Sequence, residues 1–179
     1  MDDVANGLAN LRIATLRYQF PYMEIGGRRP DSPALCHATV RAAVGAAREL
    51  APALPLLAGG KSFGGRMTSQ AQAAQPLAEV RGLAFLGFPL HPPKKPSVDR
   101  ADHLSEVKIP MLFLQGTRDA LAEPDLLRPI VERLGGLATL KLLEGADHSF
   151  HGSKRSGRTD PEVSHEMLAA LAAWATSVI

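Results

Sequence analysis

The stretch that decides the fold is "AGGKSFGG", Ala58 to Gly65. It follows an apolar run that begins at Leu54 and precedes a segment, 66–75, with the composition of a helix. Two unrelated chemistries place a glycine-rich turn with a serine between a strand and a helix. One is the phosphate-binding loop, and the other is the nucleophile elbow, the turn that presents a reactive serine. The spacing of the glycines distinguishes them.

The phosphate-binding loop does not fit this stretch. Its pattern is Gly, four residues, then Gly-Lys-Ser or Gly-Lys-Thr. If Gly60, Lys61 and Ser62 end the loop, the first glycine falls at position 55, which is Pro55. A proline has no N–H to donate to a phosphate and cannot adopt a positive φ. We therefore reject a nucleotide-binding loop.

The nucleophile elbow fits at every position. Its pattern G-x-S-x-G matches Gly60, Ser62 and Gly64. Glycine is expected two residues before and after the serine, because larger side chains would collide with the neighbouring strand and helix. Gly65 would allow still closer helix packing, and the N–H of Phe63 would face a developing oxyanion. An ordinary serine in a glycine-rich turn is the alternative that this pattern alone leaves open.

Short apolar runs alternate with helical stretches along the rest of the chain. This alternation predicts an α/β fold, a three-layer sandwich in which helices cover both faces of a mostly parallel sheet of about five strands. We expect a single domain over residues 1–179. The predicted strands are 13–18, 54–58, 82–88, 111–114 and 139–143, and the predicted helices are 33–50, 66–75, 124–134 and one from 161 onward.

Two further loops carry residues that complete a catalytic triad. Asp119 follows the fourth predicted strand, and His148 follows the fifth. The order serine, acid, histidine is the one this elbow requires. His148 would accept the proton of Ser62, and Asp119 would hold the imidazole tautomer. Asp147 is a rival acid, but an adjacent residue seldom reaches its neighbour's imidazole, so we favour Asp119.

The remaining histidines suggest little further chemistry. His91 follows the third predicted strand on the same edge of the sheet, and we expect it to line the pocket. His148 and His151 have a spacing compatible with metal binding, but no third ligand is evident in the sequence. We therefore predict no metal and no cofactor.

Composition argues against nucleic-acid and membrane partners, so we expect the partner to be a small-molecule substrate. Net charge is +2, the basic residues are dispersed and aromatics make up 5% of the chain, which argues against a nucleic-acid surface. No apolar run is long enough to span a bilayer, so we expect no membrane association. Cys36 is the only cysteine, and from the start Met1-Asp2-Asp3 we expect no secretory signal peptide. We expect a cytoplasmic protein.

Three motifs together resemble the α/β-hydrolase superfamily: the elbow at 60–65, the acid turn at 116–119 and the histidine turn at 145–150. The stretches 17–24 and 87–90 are similar to a small dienelactone-hydrolase-like branch related to testis-expressed protein thirty. The resemblance implies a serine hydrolase that acts on a small ester, thioester or lactone through an acyl-enzyme. Some relatives serve as scaffold subunits, so a non-catalytic binding module is the alternative.

The resemblance also implies a missing piece. Family members carry a strand between the counterparts of 13–18 and 54–58, and the loop after it supplies a second oxyanion donor. We find no such strand in this sequence and expect a shortened chain or a partner that fills the gap. The exposed edge would favour a homodimer. Loss of one oxyanion donor would lower the rate on the order of 100- to 1000-fold.

Overall fold

The computed structural model describes residues 1–179, which form helices and strands in alternation. The α-helices are α1 (Asp2–Asn10), α2 (Pro21–Glu24), α3 (Pro33–Leu50), α4 (Phe63–Ala74), α5 (Pro124–Leu134) and α6 (Asp160–Val178). The strands are β1 (Leu56–Lys61), β2 (Val80–Leu86), β3 (Met111–Gly116) and β4 (Ala138–Leu143). Short 3₁₀ helices span Asp99–Glu106, Gly135–Leu137 and Lys154–Ser156.

The strands form one parallel sheet in the order β1-β2-β3-β4. Gly60 lies opposite Phe85, Phe85 opposite Phe113, and Phe113 opposite Leu140. All four strands therefore end at one edge of the sheet, which is where a parallel α/β sheet binds its ligands. The predicted α/β class and the covered parallel sheet are confirmed.

Helices cover both faces of the sheet. On one face, Phe85 and Phe113 pack in a cluster with residues of α3, α4 and α5, among them Val40, Met67 and Leu127. On the other face, alternate strand residues pack against α1 and α6; this second cluster includes Ala84, Leu112, Leu8, Met167 and Trp174. Because both faces of the inner strands are buried, those strands are almost wholly apolar.

Side chains cap the starts of two helices. The Ser32 side chain accepts a hydrogen bond from the Leu35 N–H at 3.3 Å, with Pro33 in the first turn of α3. At α6, Thr159 and Glu162 form a reciprocal capping box. Such caps satisfy backbone donors that the first helical turn leaves free.

The predicted strand at 13–18 is wrong. The sheet has four strands, and β1 is its edge strand. Residues 14–19 make no hydrogen bond to any other backbone group. A strand is defined by a hydrogen-bonded neighbour, and no neighbour lies beside this extended segment.

A largely apolar cleft of about 900 Å³ separates this segment from β1. Ile13, Leu16 and Tyr18 line one side, and Leu57 and Gly59 line the other. The cleft lies where the resemblance places an additional strand. Because the cleft separates the two segments, 13–18 forms no backbone hydrogen bonds to β1.

Candidate active site

Ser62 lies on a strained turn between β1 and α4. Its φ of 50° and ψ of −116° are unusual for a residue other than glycine. The Ser62 N–H donates to the Leu86 carbonyl at 3.0 Å, which holds the turn against β2. Strain of this kind is typical of functional sites, and here it belongs to the predicted nucleophile.

The glycines of the elbow have unequal roles. A Cβ on Gly60 would lie 3.1 Å from backbone atoms of Gly64 and Gly65, and a Cβ on Gly65 would lie 2.7 Å from the Gly60 carbonyl oxygen. A Cβ on Gly64 would meet nothing within 4 Å. The prediction that Gly64 avoids a collision is therefore wrong. Gly65 permits the close approach of helix and strand instead.

Ser62, His148 and Asp119 form one hydrogen-bonded line. His148 Nε2 lies 2.8 Å from Ser62 Oγ, and His148 Nδ1 lies 2.6 Å from Asp119 Oδ2. Because a carboxylate only accepts, the ring proton belongs on Nδ1, and Nε2 is left to accept from the serine hydroxyl. The side chain of Asp119 is fully buried, whereas that of His148 is 23% exposed. The histidine is thus open to a substrate and the acid is not.

A buried glutamine, which the sequence analysis did not identify, orients Asp119. The Gln115 amide donates to Asp119 Oδ2, and its oxygen accepts the Phe88 N–H at 2.9 Å. The Leu121 N–H donates to the other carboxylate oxygen of Asp119 at 2.8 Å. Gln115 is the only polar side chain of β3. A single polar residue in an otherwise apolar strand is the sequence signal that could have identified Gln115.

The acid loop and the histidine loop are bonded to each other. The Arg118 N–H donates to the Ala146 carbonyl at 2.9 Å, and the Gly145 N–H donates to Thr117 Oγ1 at 2.8 Å. A Cβ on Gly116 would lie 2.3 Å from the Ala146 carbonyl oxygen. Only glycine at 116 allows this approach, which brings Asp119 within reach of His148.

Asp147 stabilises the histidine loop and forms no hydrogen bond to the His148 ring. Its Oδ1 accepts the Ser149 N–H at 2.8 Å and the His151 N–H at 3.0 Å. Burial opposes ionisation of Asp147, but backbone hydrogen bonds from His151 and Ser149 outweigh it and lower the pKa of the carboxyl. The geometry therefore favours Asp119 as the partner of His148.

Phe63 occupies the first position of α4, where helix geometry leaves the N–H without an acceptor inside the helix. Its ring packs edge-on against Phe20 and Tyr22, with ring centroids 5.4 Å and 6.3 Å away. The backbone of Phe63 is therefore held beside Ser62. Its role as oxyanion donor stays a prediction.

His91, which we expected to line the pocket, is completely buried. Its Nε2 lies 2.6 Å from Glu123 Oε2, and its Nδ1 lies 2.9 Å from the Pro92 carbonyl. Neither ring nitrogen is free to meet a substrate. His91 instead ties the loop after β2 to the start of α5.

The structure holds neither a metal-binding cluster nor a helix suited to a bilayer. No group of three histidine, cysteine, aspartate or glutamate side chains is placed to hold a metal ion. None of the helices combines the length and hydrophobicity that crossing a bilayer requires.

A covered parallel sheet, with a serine on the strained turn after one strand and an acid and a histidine on nearby loops, has the architecture of an α/β hydrolase. The family model described as "alpha/beta hydrolase domain" matches residues 1–176. The chain belongs to the α/β hydrolase family.

Solved structures of low sequence identity share this fold. An α/β serine hydrolase homologue from Coxiella burnetii matches with a TM-score of 0.71 at 19% identity. The match covers 95% of this chain and 74% of the Coxiella chain. A serine hydrolase without a lid from Xanthomonas campestris matches with a TM-score of 0.71 at 22% identity. The match covers 96% of this chain and 71% of the Xanthomonas chain. A putative α/β hydrolase from Agrobacterium tumefaciens matches with a TM-score of 0.72 at 20% identity. The match covers 98% of this chain and 77% of the Agrobacterium chain.

Proposed function

We propose that the protein is a serine hydrolase that cleaves a small carboxylic ester through an acyl-enzyme on Ser62. The observation that carries the proposal is the hydrogen-bonded line from Ser62 through His148 to Asp119. The strained elbow, which holds the serine backbone at φ 50°, supports the same conclusion.

The first half of the reaction forms the acyl-enzyme. Ser62 Oγ attacks the ester carbonyl carbon while His148 Nε2 accepts the hydroxyl proton. The carbonyl oxygen becomes an oxyanion, which the Phe63 N–H stabilises. When the tetrahedral intermediate collapses, the carbon–oxygen bond to the alcohol breaks, and His148 returns its proton to the departing alkoxide.

The second half releases the acid. A water molecule attacks the acyl carbon while His148 Nε2 accepts its proton. The bond between the acyl carbon and Ser62 Oγ then breaks, and the proton passes from His148 to the serine oxygen. In both halves Asp119 keeps the Nδ1 proton in place and stabilises the imidazolium.

The substrate class rests on chemistry and on resemblance. The α/β serine hydrolases of the same fold, together with a monoacylglycerol lipase and two esterases, support an ester. The similarity to the dienelactone-hydrolase-like branch extends the proposal to thioesters and lactones. Each of these substrates presents an acyl carbon with a leaving group that His148 can protonate.

Hydrolysis of p-nitrophenyl butyrate by the purified chain tests the proposal. We expect turnover that falls on the order of 1000-fold or more in Ser62→Ala. Ser164→Ala is the matched control, because Ser164 lies on α6 and its side chain bonds to nothing in the structure. Turnover that persists in Ser62→Ala, or a folded chain with no turnover, would overturn the proposal.

A further inference from the structure

The imidazole ring of His91 is buried, and both of its nitrogens face oxygen atoms. Nε2 lies 2.6 Å from Glu123 Oε2, and Nδ1 lies 2.9 Å from the carbonyl oxygen of Pro92. A carbonyl oxygen and an ionised carboxylate only accept hydrogen bonds, and a neutral imidazole carries a single N–H. Both hydrogen bonds therefore form only when the ring carries two protons and a positive charge.

Glu123 is ionised and cannot supply the missing proton. A hydrogen bond from its own backbone N–H lowers the pKa of the Glu123 carboxyl most, and the hydrogen bond with His91 lowers it further. The Glu123 side chain is 47% exposed, so water also solvates the carboxylate. A buried charge is tolerated when it is paired and hydrogen-bonded, and the His91 ring meets both conditions.

No other charged side chain bonds to the His91 ring. Lys94 and Lys95, on the loop that follows it, are exposed, and solvent screens their charges. Asp119, on the neighbouring loop, bonds to the catalytic histidine instead. The charge of the ring is therefore balanced by Glu123 alone.

The main chain of His91 is connected to the catalytic acid through Leu121. The N–H groups of Leu90 and His91 both donate to the Leu121 carbonyl, at 2.8 Å and 3.1 Å. The Leu121 N–H in turn donates to Asp119 Oδ1 at 2.8 Å. Glu123, the partner of the His91 ring, lies two residues beyond Leu121. His91 therefore contacts the segment that carries the acid at two points, once through its backbone and once through its ring.

We propose that His91 is a positioning residue whose imidazolium, bonded to Glu123, holds the segment 119–123 so that Asp119 meets His148. The ring fixes one end of this segment, and the main chain of His91 fixes its middle. The catalytic acid lies at the other end. A neutral ring would lose one of its two hydrogen bonds and would hold the segment less firmly. This inference rests on the proposed hydrolase function.

NMR of the chain labelled with 15N in its histidine rings measures the protonation of His91 directly, because ring nitrogens with and without a proton differ in chemical shift. At pH 8 we expect protons on both nitrogens of His91, with the exposed ring of His165 as the solvated reference. In Glu123→Gln the amide can donate to Nε2, so a neutral ring keeps both bonds and only Nδ1 should carry a proton. One proton on His91 in the wild type, or two in Glu123→Gln, would overturn the proposal.

Two substitutions at Glu123 test the effect on the acid, and because this side chain is half exposed they leave the core intact. In Glu123→Ala we expect kcat for p-nitrophenyl butyrate to fall roughly 10-fold with little change in KM, because a loosened acid stabilises the imidazolium of His148 less well. Glu123→Gln should restore most of this loss, since its amide can bond to a neutral ring. Glu132→Gln, at an exposed position on α5, is the control that keeps the wild-type kcat. Equal kcat in Glu123→Ala and the wild type, or a loss confined to KM, would overturn the positioning role.

A second NMR signal separates failure of this role from failure of the hydrolase proposal. The Nδ1–H of His148 faces Asp119, and no substrate is needed to observe it. In Glu123→Ala this proton should exchange with water faster than in the wild type, and in Glu123→Gln the exchange should slow again. Equal exchange rates in all three proteins would overturn the positioning role whether or not the chain hydrolyses an ester. Faster exchange in a chain without turnover would support the role of His91 and overturn only the hydrolase proposal.

Discussion

Gln115 donates a hydrogen bond to the same oxygen of Asp119 that accepts the His148 ring N–H. The other end of this amide accepts the Phe88 N–H, so the glutamine connects the acid to the loop after β2. Gln115 is completely buried, so its hydrogen bonds are shielded from bulk solvent. The position of the carboxylate is therefore set by β3 as well as by its own loop.

Gln115→Met should lower catalytic activity by more than its loss of thermal stability can explain. Methionine is similar in size but cannot donate to Asp119, so we expect kcat/KM for p-nitrophenyl butyrate to fall about 10-fold. Gln72→Met is the matched control, since Gln72 is a buried glutamine that accepts a backbone N–H from Leu77. Both variants should lose thermal stability, which calorimetry measures. Equal activity in the two variants would show that Gln115 has no role in orienting the acid.

Asp119→Asn and Asp147→Asn distinguish the acid from its rival. An amide at 119 can donate to Nδ1 and favour the wrong imidazole tautomer, so we expect kcat to fall on the order of 10³- to 10⁴-fold. An amide oxygen at 147 can still accept from Ser149 and His151. We expect Asp147→Asn to lower kcat by less than about tenfold, since side-chain-to-backbone bonds survive. The reverse order of effects would assign the acid to Asp147.

Gly65→Ala should destabilise the fold, and Gly64→Ala should not. The added methyl at 65 would lie 2.7 Å from the Gly60 carbonyl oxygen, whereas at 64 it would meet nothing within 4 Å. Overpacking of this kind lowers the free energy of unfolding by about 1–3 kcal/mol. Alanine at 64 should change it by no more than about 0.5 kcal/mol. Urea unfolding of the two variants measures the difference, and similar losses in both would contradict the assignment of the close approach to Gly65.

Acidification should destabilise the fold through His103. Its pKa is lowered by burial to about 4, whereas an unfolded histidine titrates near 6.5. Between these values the unfolded chain binds a proton that the folded chain does not, so stability falls as pH falls from about 6.5 to about 4.

His103→Gln removes this titration. We expect the variant to lose less free energy of unfolding than the wild type between pH 7 and pH 4.5, as measured by urea denaturation at each pH. His165→Gln, at an exposed position on α6, should follow the wild type. A pH dependence unchanged by His103→Gln would contradict the burial of a neutral imidazole.

The covered sheet was predictable because buried parallel strands are short apolar runs. Met111 to Leu114 and Thr139 to Leu143 lie inside observed strands for this reason. The loops that follow them carry Asp119 and His148, and the common direction of the strands brings those loops to one edge. The segment 13–18 has a similar pattern, but strand formation also depends on a neighbour, which a local pattern does not reveal.

The surroundings of the site were less predictable because they depend on tertiary contacts. Gln115 is an ordinary polar residue in the sequence, and its role comes from its burial and from its hydrogen bonds to Phe88 and Asp119. His91 lies on the expected edge but is turned toward Glu123 rather than a pocket. Gly64 matches the elbow pattern, yet a Cβ added at this position would meet no other atom within 4 Å. Spacing identifies where residues meet, and packing determines what each one does.

The most direct test of the account is covalent labelling with a fluorophosphonate, followed by mass spectrometry of the labelled peptides. An activated serine attacks the phosphorus and displaces fluoride, so we predict a single adduct at Ser62 that is absent in Ser62→Ala. His148→Gln should abolish labelling as well, because the hydroxyl would lose its base. A folded wild-type chain that takes up no label, or that is labelled at another serine, would contradict the claim that Ser62 is a nucleophile.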